Sequence, residues 1–398
     1  MREKITSKIF LLAIIALIAI SCGGRNKQSE NDIITINVSA NFPTKELILQ
    51  DFMNVEYIAL DDADEFITQG RVLDIGKRYI LITNWGPAAG NIFVFDRKTG
   101  EGLRVINRRG QGAEEYANIV MVTLDEENGE IFVRDDARRI LVYDLYGNFR
   151  RRFELIGDTG FYRCIFNYDP NNLLVYKAFP VHSENSTPSS FLIISKKDGS
   201  LVREIDIPAK EFRTPIITRY IDGRFSFVMS FYPSIIPYRD GWALMQASSD
   251  TIYHLLPNGD LTPLITRTPS IHSMRTELFL FPSFFTDRYY FMQVQRRELR
   301  ETHPISLFPR TNLVYDRQKS TIFRVTVYND DFSNRRSVDI GDSRFRPVSH
   351  EIAFFKKFEA YQLVEAYENG ELRGRLKEIA STLNEESNPV IMIVTHKN

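Results

Sequence analysis

The chain contains six histidines, the residue type that most often binds catalytic zinc or transfers protons near neutral pH. They are His182, His254, His272, His303, His350 and His396. No two of them are two or four residues apart, the spacings that bring two ligands to one side of a strand or helix. We therefore expect no metal or other cofactor. The alternative is a divalent metal in a channel, held by histidines that converge only after folding.

Nucleophilic catalysis has no sequence signal either. Ser195 is not flanked by the glycines of a nucleophile elbow, and Cys164 has no histidine nearby in the sequence. The carboxylate pair Asp135-Asp136 stands between two apolar runs, where aspartates usually accept hydrogen bonds in turns. The sequence favours a protein without catalysis and leaves a metal-dependent hydrolase or lyase as the alternative.

Four residues are candidates for ligand binding. Trp85 stands between Asn84 and Gly86, and a loop tryptophan combines a large apolar surface with one polar group. Arg108 and Arg109 could clamp a carboxylate by paired hydrogen bonds. Tyr116 closes the segment that these arginines open. We expect the ligand to be a glycan, a peptide or an envelope protein.

The elements that would carry these residues are strands. Between residues 107 and 149, apolar and polar residues alternate, as in Ile131, Val133, Ile140 and Val142, and turn residues separate the runs. This pattern predicts one blade of a propeller. The Gly110-Gln111-Gly112 segment precedes no helix pattern, so we interpret it as a tight turn that leads into a strand and not as a phosphate-binding loop.

The same stretch resembles the repeat of NHL-type propellers and, more narrowly, the six-bladed propeller lipoproteins of Gram-negative envelopes. The residues that carry the resemblance are Gly110, Gly112, Glu115, Tyr116, Asp125, Gly129, Asp135, Asp144 and Gly147. The resemblance implies an all-β fold, a six-bladed β-propeller of four-stranded antiparallel blades. It also implies a ligand site at the mouth of the central channel, on loops carried by a rigid scaffold.

A repeated turn supports several blades. Gly100, Gly147, Gly199 and Gly259 each follow an apolar run and a polar turn residue, and Leu313 to Asp316 is a similar run without the glycine. The intervals are about 50 residues, close to the period of propeller blades. Because five such runs are visible, we expect the two ends of the chain to close a sixth blade.

The C-terminal region supplies the closing elements. Leu372, Leu376, Ile379 and Leu383 have helical spacing, and Pro389 to Val394 predicts a buried strand that pairs with the region from Ile33 to Leu60. The fold class therefore includes a short C-terminal helical segment packed on the propeller. Phe354, Phe355, Phe358 and Tyr361 predict a second amphipathic helix. The Asn388-Pro389-Val390 ending also resembles that of the lipoprotein family.

The N-terminus has the pattern of an export signal. Basic residues precede the apolar run Ile9 to Ile20, which is too short to span a bilayer, and Cys22 follows Ser21 as in a bacterial lipobox. We predict a lipoprotein signal peptide at residues 1–21, a lipidated Cys22 with a flexible tether at 22–32, and the propeller at 33–398. The protein would then be anchored in the cell envelope, at the outer membrane, with the leaflet undecided.

Composition excludes some classes of partner. The formal net charge is −1, so the chain has no overall electrostatic attraction for nucleic acid. The chain has two cysteines, and lipidation of Cys22 would leave Cys164 without a disulfide partner. The sequence thus predicts a lipid-anchored binding or scaffold module whose stability comes from its core. The oligomeric state is not predicted.

Overall fold

The protein is a six-bladed β-propeller built on four-stranded antiparallel blades, with added edge strands in the fourth and fifth blades and three described strands in the sixth. The computed structural model describes residues 33–86, 90–136, 138–157, 160–178, 190–221, 224–230, 232–298, 308–340 and 349–397. Residues Thr35–Asn398 belong to one compact unit. The predicted signal peptide, Cys22 and the tether lie outside the described residues, as do His182 and His303. In the described part of the chain, no helix is long and apolar enough to span a membrane.

The N-terminal segment contributes strands to three different blades. These elements are β1 (Ile34–Asn37), β2 (Thr44–Ile48), the single-turn helix α1 (Leu49–Phe52) and β3 (Met53–Ala59). Strand β1 lies at the edge of the fourth blade, β2 pairs in parallel with the last long strand of the fifth, and β3 belongs to the sixth. The segment therefore follows the outside of half the propeller and covers strand edges that would otherwise be exposed.

The first three blades are four-stranded meanders. Blade 1 is β4 (Arg71–Ile75), β5 (Tyr79–Thr83), β6 (Asn91–Asp96) and β7 (Gly102–Asn107); blade 2 is β8 (Met121–Asp125), β9 (Glu130–Arg134), β10 (Arg139–Asp144) and β11 (Phe149–Glu154); blade 3 is β12 (Phe161–Asn167), β13 (Asn172–Ala178), β14 (Ser190–Ser195) and β15 (Leu201–Ile205). The blade predicted at 107–149 is real, but its bounds were wrong. It begins at Met121 and ends at Glu154, because Asn107 still belongs to blade 1.

A separate hairpin, β16 (Ile216–Ile221) and β17 (Arg224–Met229), follows blade 3. Blade 4 is β18 (Ile235–Tyr238), β19 (Gly241–Leu244), β20 (Thr251–Leu255) and β21 (Leu261–Thr268); blade 5 is β22 (Leu278–Phe285), β23 (Tyr289–Arg296), β24 (Arg310–Asp316) and β25 (Thr321–Tyr328), with β26 (Ser337–Val338) at its edge. The aromatic stretch from Phe279 to Tyr290 forms most of the first strand of blade 5 and the start of the second. Its aromatic rings are core.

The repeated glycines are the turns between the third and fourth strands of their blades. Gly100, Gly147, Gly199 and Gly259 have φ angles of 77°, 85°, 73° and 84°. This left-handed conformation is unfavourable for residues with a Cβ atom. In blade 5 the corresponding turn ends at Ser320, which has a φ angle of 49°. The repeat is therefore a constraint on backbone conformation, and blade 5 meets it without glycine.

The two ends of the chain close the sixth blade as predicted. Strand β27 (Ile352–Phe358) pairs with β28 (Val390–His396), and β28 pairs along its whole length with β3. Between them lie helices α2 (Ala360–Glu368) and α3 (Gly374–Ala380). Leu376 and Ile379 of α3 are buried in the core as predicted, but the helix is shorter than expected, and Leu372 and Leu383 pack on the same core from outside it.

The helix predicted for residues 354–361 is wrong. Phe354, Phe355 and Phe358 lie on β27, and Tyr361 is an exposed residue of α2. Phe354 and Phe358 are buried, and Phe355 is half-buried. The aromatic residues had the spacing of a helix, but a strand within a propeller meets apolar surface on both faces. Periodicity alone could not distinguish the two.

Each blade packs on both faces, which explains the short continuous apolar runs. In β5, Ile80 and Ile82 pack with Ile391 and Ile393 of blade 6, whereas Leu81 packs with residues of blade 2. Alternate residues of one strand thus belong to the cores on either side of the blade. Neighbouring blades are therefore joined by continuous apolar cores.

Candidate functional site

A cavity of about 1040 Å³ lies along strands β4, β8, β12 and β27. The first strands of propeller blades line the central channel, so this cavity is a part of that channel. Its volume is at the upper end of the range for small-molecule sites. The lining combines aromatic rings with charged and amide side chains, as in Trp85, Phe166, Trp242, Asn167 and Lys357.

The cavity has two different ends. One end, here called the tryptophan end, contains Gly70, Arg71, Trp85, Val120 and Lys357. The other, here called the hairpin end, contains the turns that follow β4, β8 and β12, at residues 76–78, 126–129 and 168–171. The cavity therefore follows β4 and β8 from one end to the other.

Trp85 is held in place at its end of the cavity. Its side chain is 60% exposed, an unusually large exposed area for tryptophan. Its backbone N–H donates to Oε1 of Gln69 at 2.9 Å, and the guanidinium of Arg71 lies 4.2 Å from the ring centroid. The ring is thus oriented by a cation–π contact while much of its surface faces solvent.

The second tryptophan lines the same cavity. Trp242 is only 4% exposed and packs against Phe166, with ring centroids 5.3 Å apart, and against His350 at 4.8 Å. Nε2 of His350 lies 2.8 Å from the backbone carbonyl of Gly241. Because the chain has two tryptophans and both line this cavity, intrinsic fluorescence reports on its occupancy.

The hairpin end contains a buried ion pair. Nζ of Lys196 lies 2.6 Å from Oδ2 of Asp125, and both side chains are buried. The carboxylate also accepts a hydrogen bond from Nδ2 of Asn128 at 2.8 Å. Such a pair satisfies both charges inside the protein. It joins blade 2 to blade 3 along the channel wall.

Other carboxylates of the lining accept backbone hydrogen bonds. Glu126 of blade 2 accepts from the backbone N–H groups of Lys77, Arg78 and Tyr79 at 3.0 Å each, in the first turn of blade 1. Asp74 accepts from the N–H of Leu124 at 2.7 Å. These bonds join blades 1 and 2. The acids of this region therefore maintain the channel wall.

Cationic side chains mark the tryptophan end. Nζ of Lys357 donates to the carbonyl of Gln69 at 2.8 Å and lies 2.5 Å from Oε1 of Glu359. Lys356 is the preceding lining residue on β27. Arg71 is the third cation of this end, and its guanidinium lies against the ring of Trp85. Nζ of Lys356 instead lies 5.3 Å from the ring centroid of Phe358. Three cations therefore line this end of the cavity.

Of the four predicted ligand-binding residues, Trp85 lines the cavity. Arg108 donates through Nε to the carbonyl of Gly147 at 2.7 Å, a contact between blades 1 and 2. Tyr116 is fully buried, and its hydroxyl donates to the carbonyl of Gly90 at 2.7 Å and accepts from the N–H of Arg108 at 3.0 Å. Burial raises the pKa of Tyr116 to about 12.

Arg109 lies in the same segment, and its backbone N–H donates to Oδ1 of Asn107 at 2.9 Å. The two glycines before Tyr116 form a capped turn. The carboxylate of Glu115 accepts from the N–H of Gly112 at 2.8 Å, and a Cβ atom on Gly110 would collide with that carboxylate. The carboxylate of Glu115 therefore closes this segment as a turn, in agreement with the turn interpretation.

The described histidines are dispersed. His254 lies on β20, His272 in a short 3-10 helix, His350 beside the cavity and His396 at the end of β28. Among residues 33–397, apart from the segments that the structure does not describe, no group of three His, Cys, Asp or Glu side chains could hold a metal. His182 and His303 lie outside the described residues, so the metal alternative stays a prediction.

Sequence reasoning missed most of the lining. Arg71 and Lys357 lie at the ends of strands 286 positions apart in the numbering, and Trp242 lies within a strand that reads as ordinary core. Lys196 occupies a turn that resembles any solvated hairpin corner. Only the exposed position of Trp85 beside Gly86 carried a signal.

Comparisons with known proteins agree with this architecture. A family model described as Domain of unknown function (DUF4934) matches residues 33–395. The chain is similar to the crystal structure of a protein of Bacteroides fragilis described as exported, with 16% sequence identity, a TM-score of 0.58, and coverage of 92% of this chain and 100% of that chain. At this identity the likeness establishes the fold alone.

A member of the DUF4221 family from Bacteroides vulgatus has 10% identity and a TM-score of 0.36, over 71% of this chain and 90% of that chain. Among curated proteins no match is found. The six-bladed fold predicted from the sequence is confirmed. The narrower resemblance to NHL-type lipoproteins stays a prediction.

Proposed function

We propose that this chain, which belongs to the DUF4934 family, is a lipid-anchored propeller of the cell envelope that binds a ligand in its central cavity without catalysis. The observation that carries the proposal is the exposed ring of Trp85, fixed by Arg71 and Gln69 beside a cavity of about 1040 Å³. An aromatic ring held in this way is prepared for stacking with a ligand, because its orientation requires no further ordering on binding.

The chemistry of the lining supports binding more than turnover. Two acids of the hairpin end hold blades together. Asp125 forms a buried ion pair with Lys196, and Glu126 accepts backbone hydrogen bonds from blade 1. Catalytic acids and bases instead need hydrogen-bond reach to a substrate. In this proposal the module needs no cofactor, and its ligand is a glycan, a peptide or an envelope protein segment.

The envelope location is part of the proposal. The export signal, the lipobox-like Cys22 and the exported Bacteroides neighbour support it. Two or more acyl chains on Cys22 would anchor the domain stably. A Cys22→Ala variant should move from the membrane fraction to the soluble periplasmic fraction, as detected by immunoblotting. Retention of that variant in the membrane fraction would contradict the anchor.

The binding site is tested with tryptophan fluorescence. Glycan and peptide libraries and soluble envelope proteins are titrated into the purified mature protein, and tryptophan emission is followed. Trp85→Ala should weaken binding of any ligand by roughly tenfold or more, because the stacking surface is removed.

Tyr146→Ala is the matched control. Tyr146 is another exposed aromatic ring, 72% exposed, with the guanidinium of Arg104 at 4.7 Å from its centroid, and it does not line the cavity. This variant should bind as the wild type does. A ligand that loses equal affinity in both variants binds elsewhere, and the assignment to the cavity would be wrong.

A further inference from the structure

We infer that the ligand is an acidic saccharide, bound at the tryptophan end by stacking on Trp85 and by the charges of Arg71, Lys356 and Lys357. This inference rests on the proposed function and names its ligand class. It is carried by the distribution of charge along the cavity lining.

The lining as a whole carries equal numbers of acidic and basic side chains, but they are segregated. At the tryptophan end the lining charges are Arg71, Lys356 and Lys357, and no carboxylate is found among the described lining residues there. The acidic side chains of the hairpin end are Asp125, Glu126, Glu127, Asp169 and Glu351, against the basic Lys77, Arg78 and Lys196. Asp74 lies between the two groups.

Contacts establish which end each charge belongs to. Lys357 donates to the carbonyl of Gln69, whose side chain holds Trp85. Glu351 pairs with Arg97 at 3.2 Å, and Arg97 also donates to the carbonyl of Gly76, in the first turn of blade 1. Glu359, outside the lining, pairs with Lys357 and offsets part of its charge. The charged lining side chains of the tryptophan end are thus cationic, which favours an anionic group there.

The aromatic ring selects the rest of the ligand. A sugar ring with a carboxylate or sulfate places an apolar face and a negative charge in one rigid unit, which matches one exposed indole at an end of the cavity lined by cations. The guanidinium of Arg71 already occupies a position over the indole, at 4.2 Å from its centroid, and so disfavours a cationic ligand at the same ring. An acidic peptide would reach the cations but would gain little from the flat ring.

The experiment uses paired oligosaccharides. Each uronate, sialate or sulfate oligosaccharide is titrated beside its neutral counterpart, for example trigalacturonate beside its methyl ester, and binding is followed by tryptophan fluorescence and calorimetry. Acidic members should bind at least tenfold more tightly, and the difference should shrink as NaCl rises from about 0.05 to 0.3 M because salt screens the attraction.

Two variants localise the charge. Lys356→Met with Lys357→Met should reduce the affinity for acidic members roughly tenfold or more and leave that for neutral members unchanged. Lys77→Met removes a cation from the hairpin end of the same cavity and should leave both affinities within about twofold. Lys357→Arg keeps the charge and should retain binding. Matched melting temperatures exclude misfolding.

The outcomes separate the two proposals. Equal binding of acidic and neutral members overturns the acidic-saccharide inference and leaves the cavity as a binding site. Binding of peptides or envelope proteins alone, dependent on Trp85, has the same consequence. If no probe of either kind binds, or if Trp85→Ala changes nothing, both the inference and the proposed binding site are wrong.

Discussion

Asn388 should contribute more to the stability of the propeller than any other polar side chain of its loop. It stands two residues before the start of the closing strand β28 and is buried. Its Oδ1 accepts from the N–H of Thr68 at 2.8 Å, and its Nδ2 donates to the carbonyls of Asp61 at 2.6 Å and Phe66 at 2.9 Å. One amide thus joins the C-terminal end of the chain to the segment that leads from β3 into blade 1.

The magnitude follows from these three bonds. Each contributes a net 0.5–1.5 kcal/mol, and removal of the amide leaves buried polar groups unpaired, so Asn388→Ala should lower the free energy of unfolding by about 2–4 kcal/mol. A domain of marginal stability has only about 5–15 kcal/mol in total. In urea the transition midpoint should fall by roughly 1 M.

Asn384→Ala is the control for the same chemical change. Asn384 is exposed, four residues earlier, and its Oδ1 accepts only a local bond from the N–H of Glu386 at 2.8 Å among the bonds that the structure describes. Its removal should cost less than about 1 kcal/mol. Asn388→Asp tests the two hydrogen bonds that Nδ2 donates. The aspartate keeps an oxygen that can accept from the N–H of Thr68, but its second oxygen would face the carbonyls of Asp61 and Phe66 without a hydrogen to donate. It should be at least as destabilising as alanine at neutral pH.

Equilibrium urea unfolding, followed by tryptophan emission and far-ultraviolet circular dichroism, measures all three variants. A surface substitution usually changes the free energy of unfolding by about 0.5 kcal/mol or less. If the free energies of unfolding of Asn388→Ala and Asn384→Ala differ by no more than about this amount, the amide of Asn388 does not stabilise the closure of the sixth blade. A change in the slope m would instead indicate that the sixth blade separates from the rest before global unfolding.

Three other outcomes are expected. Lys196→Met should lower the free energy of unfolding by about 3–5 kcal/mol because it leaves the buried carboxylate of Asp125 without its cation. In a double-mutant cycle, the addition of Asp125→Asn should recover much of this loss, and additive effects of the two substitutions would refute the coupling. Gly100→Ala should be far more destabilising than Gly129→Ala, although both glycines have positive φ, because a Cβ atom at Gly100 would lie 1.9 Å from the carbonyl oxygen of Ala59 and a Cβ atom at Gly129 would meet nothing within 4 Å. Equal melting temperatures of the two variants would contradict this. Burial lowers the pKa of His254 below its ordinary 6.5, so the unfolded chain binds the proton first and the free energy of unfolding should fall as the pH decreases from about 7 to 5. If a His254→Phe variant shows the same pH dependence in urea titrations, other groups are responsible.

The fold could be predicted from the sequence because the repeated glycine turn is a local feature of the chain. Gly100, Gly147, Gly199 and Gly259 need a backbone conformation that glycine adopts readily, and this requirement is visible in the sequence at each turn. The alternating apolar residues, such as Ile131, Val133, Ile140 and Val142, located two strands of blade 2. The Asn388-Pro389-Val390 ending suggested closure through resemblance, and the three bonds of the amide supply the physical reason.

Where local pattern failed, both faces of an element were buried. Phe354 and Phe358 had the spacing of a helix but lie on a strand between two cores. A residue-level pattern records which side chains are apolar, and it does not record how many neighbouring elements will cover them.

The candidate site was decided by tertiary structure. Arg71, Trp85, Trp242 and Lys357 come from blades 1, 4 and 6, and only closure of the propeller brings them to one cavity. Tyr116, a predicted ligand residue, has the same residue type as a binding aromatic, but the packing of blades 1 and 2 buries it completely. The sequence by itself determined the local conformations and the turns, since these depend on neighbours in the chain. The tertiary structure alone decided which charges and rings share one cavity, because that depends on contacts between residues far apart in sequence.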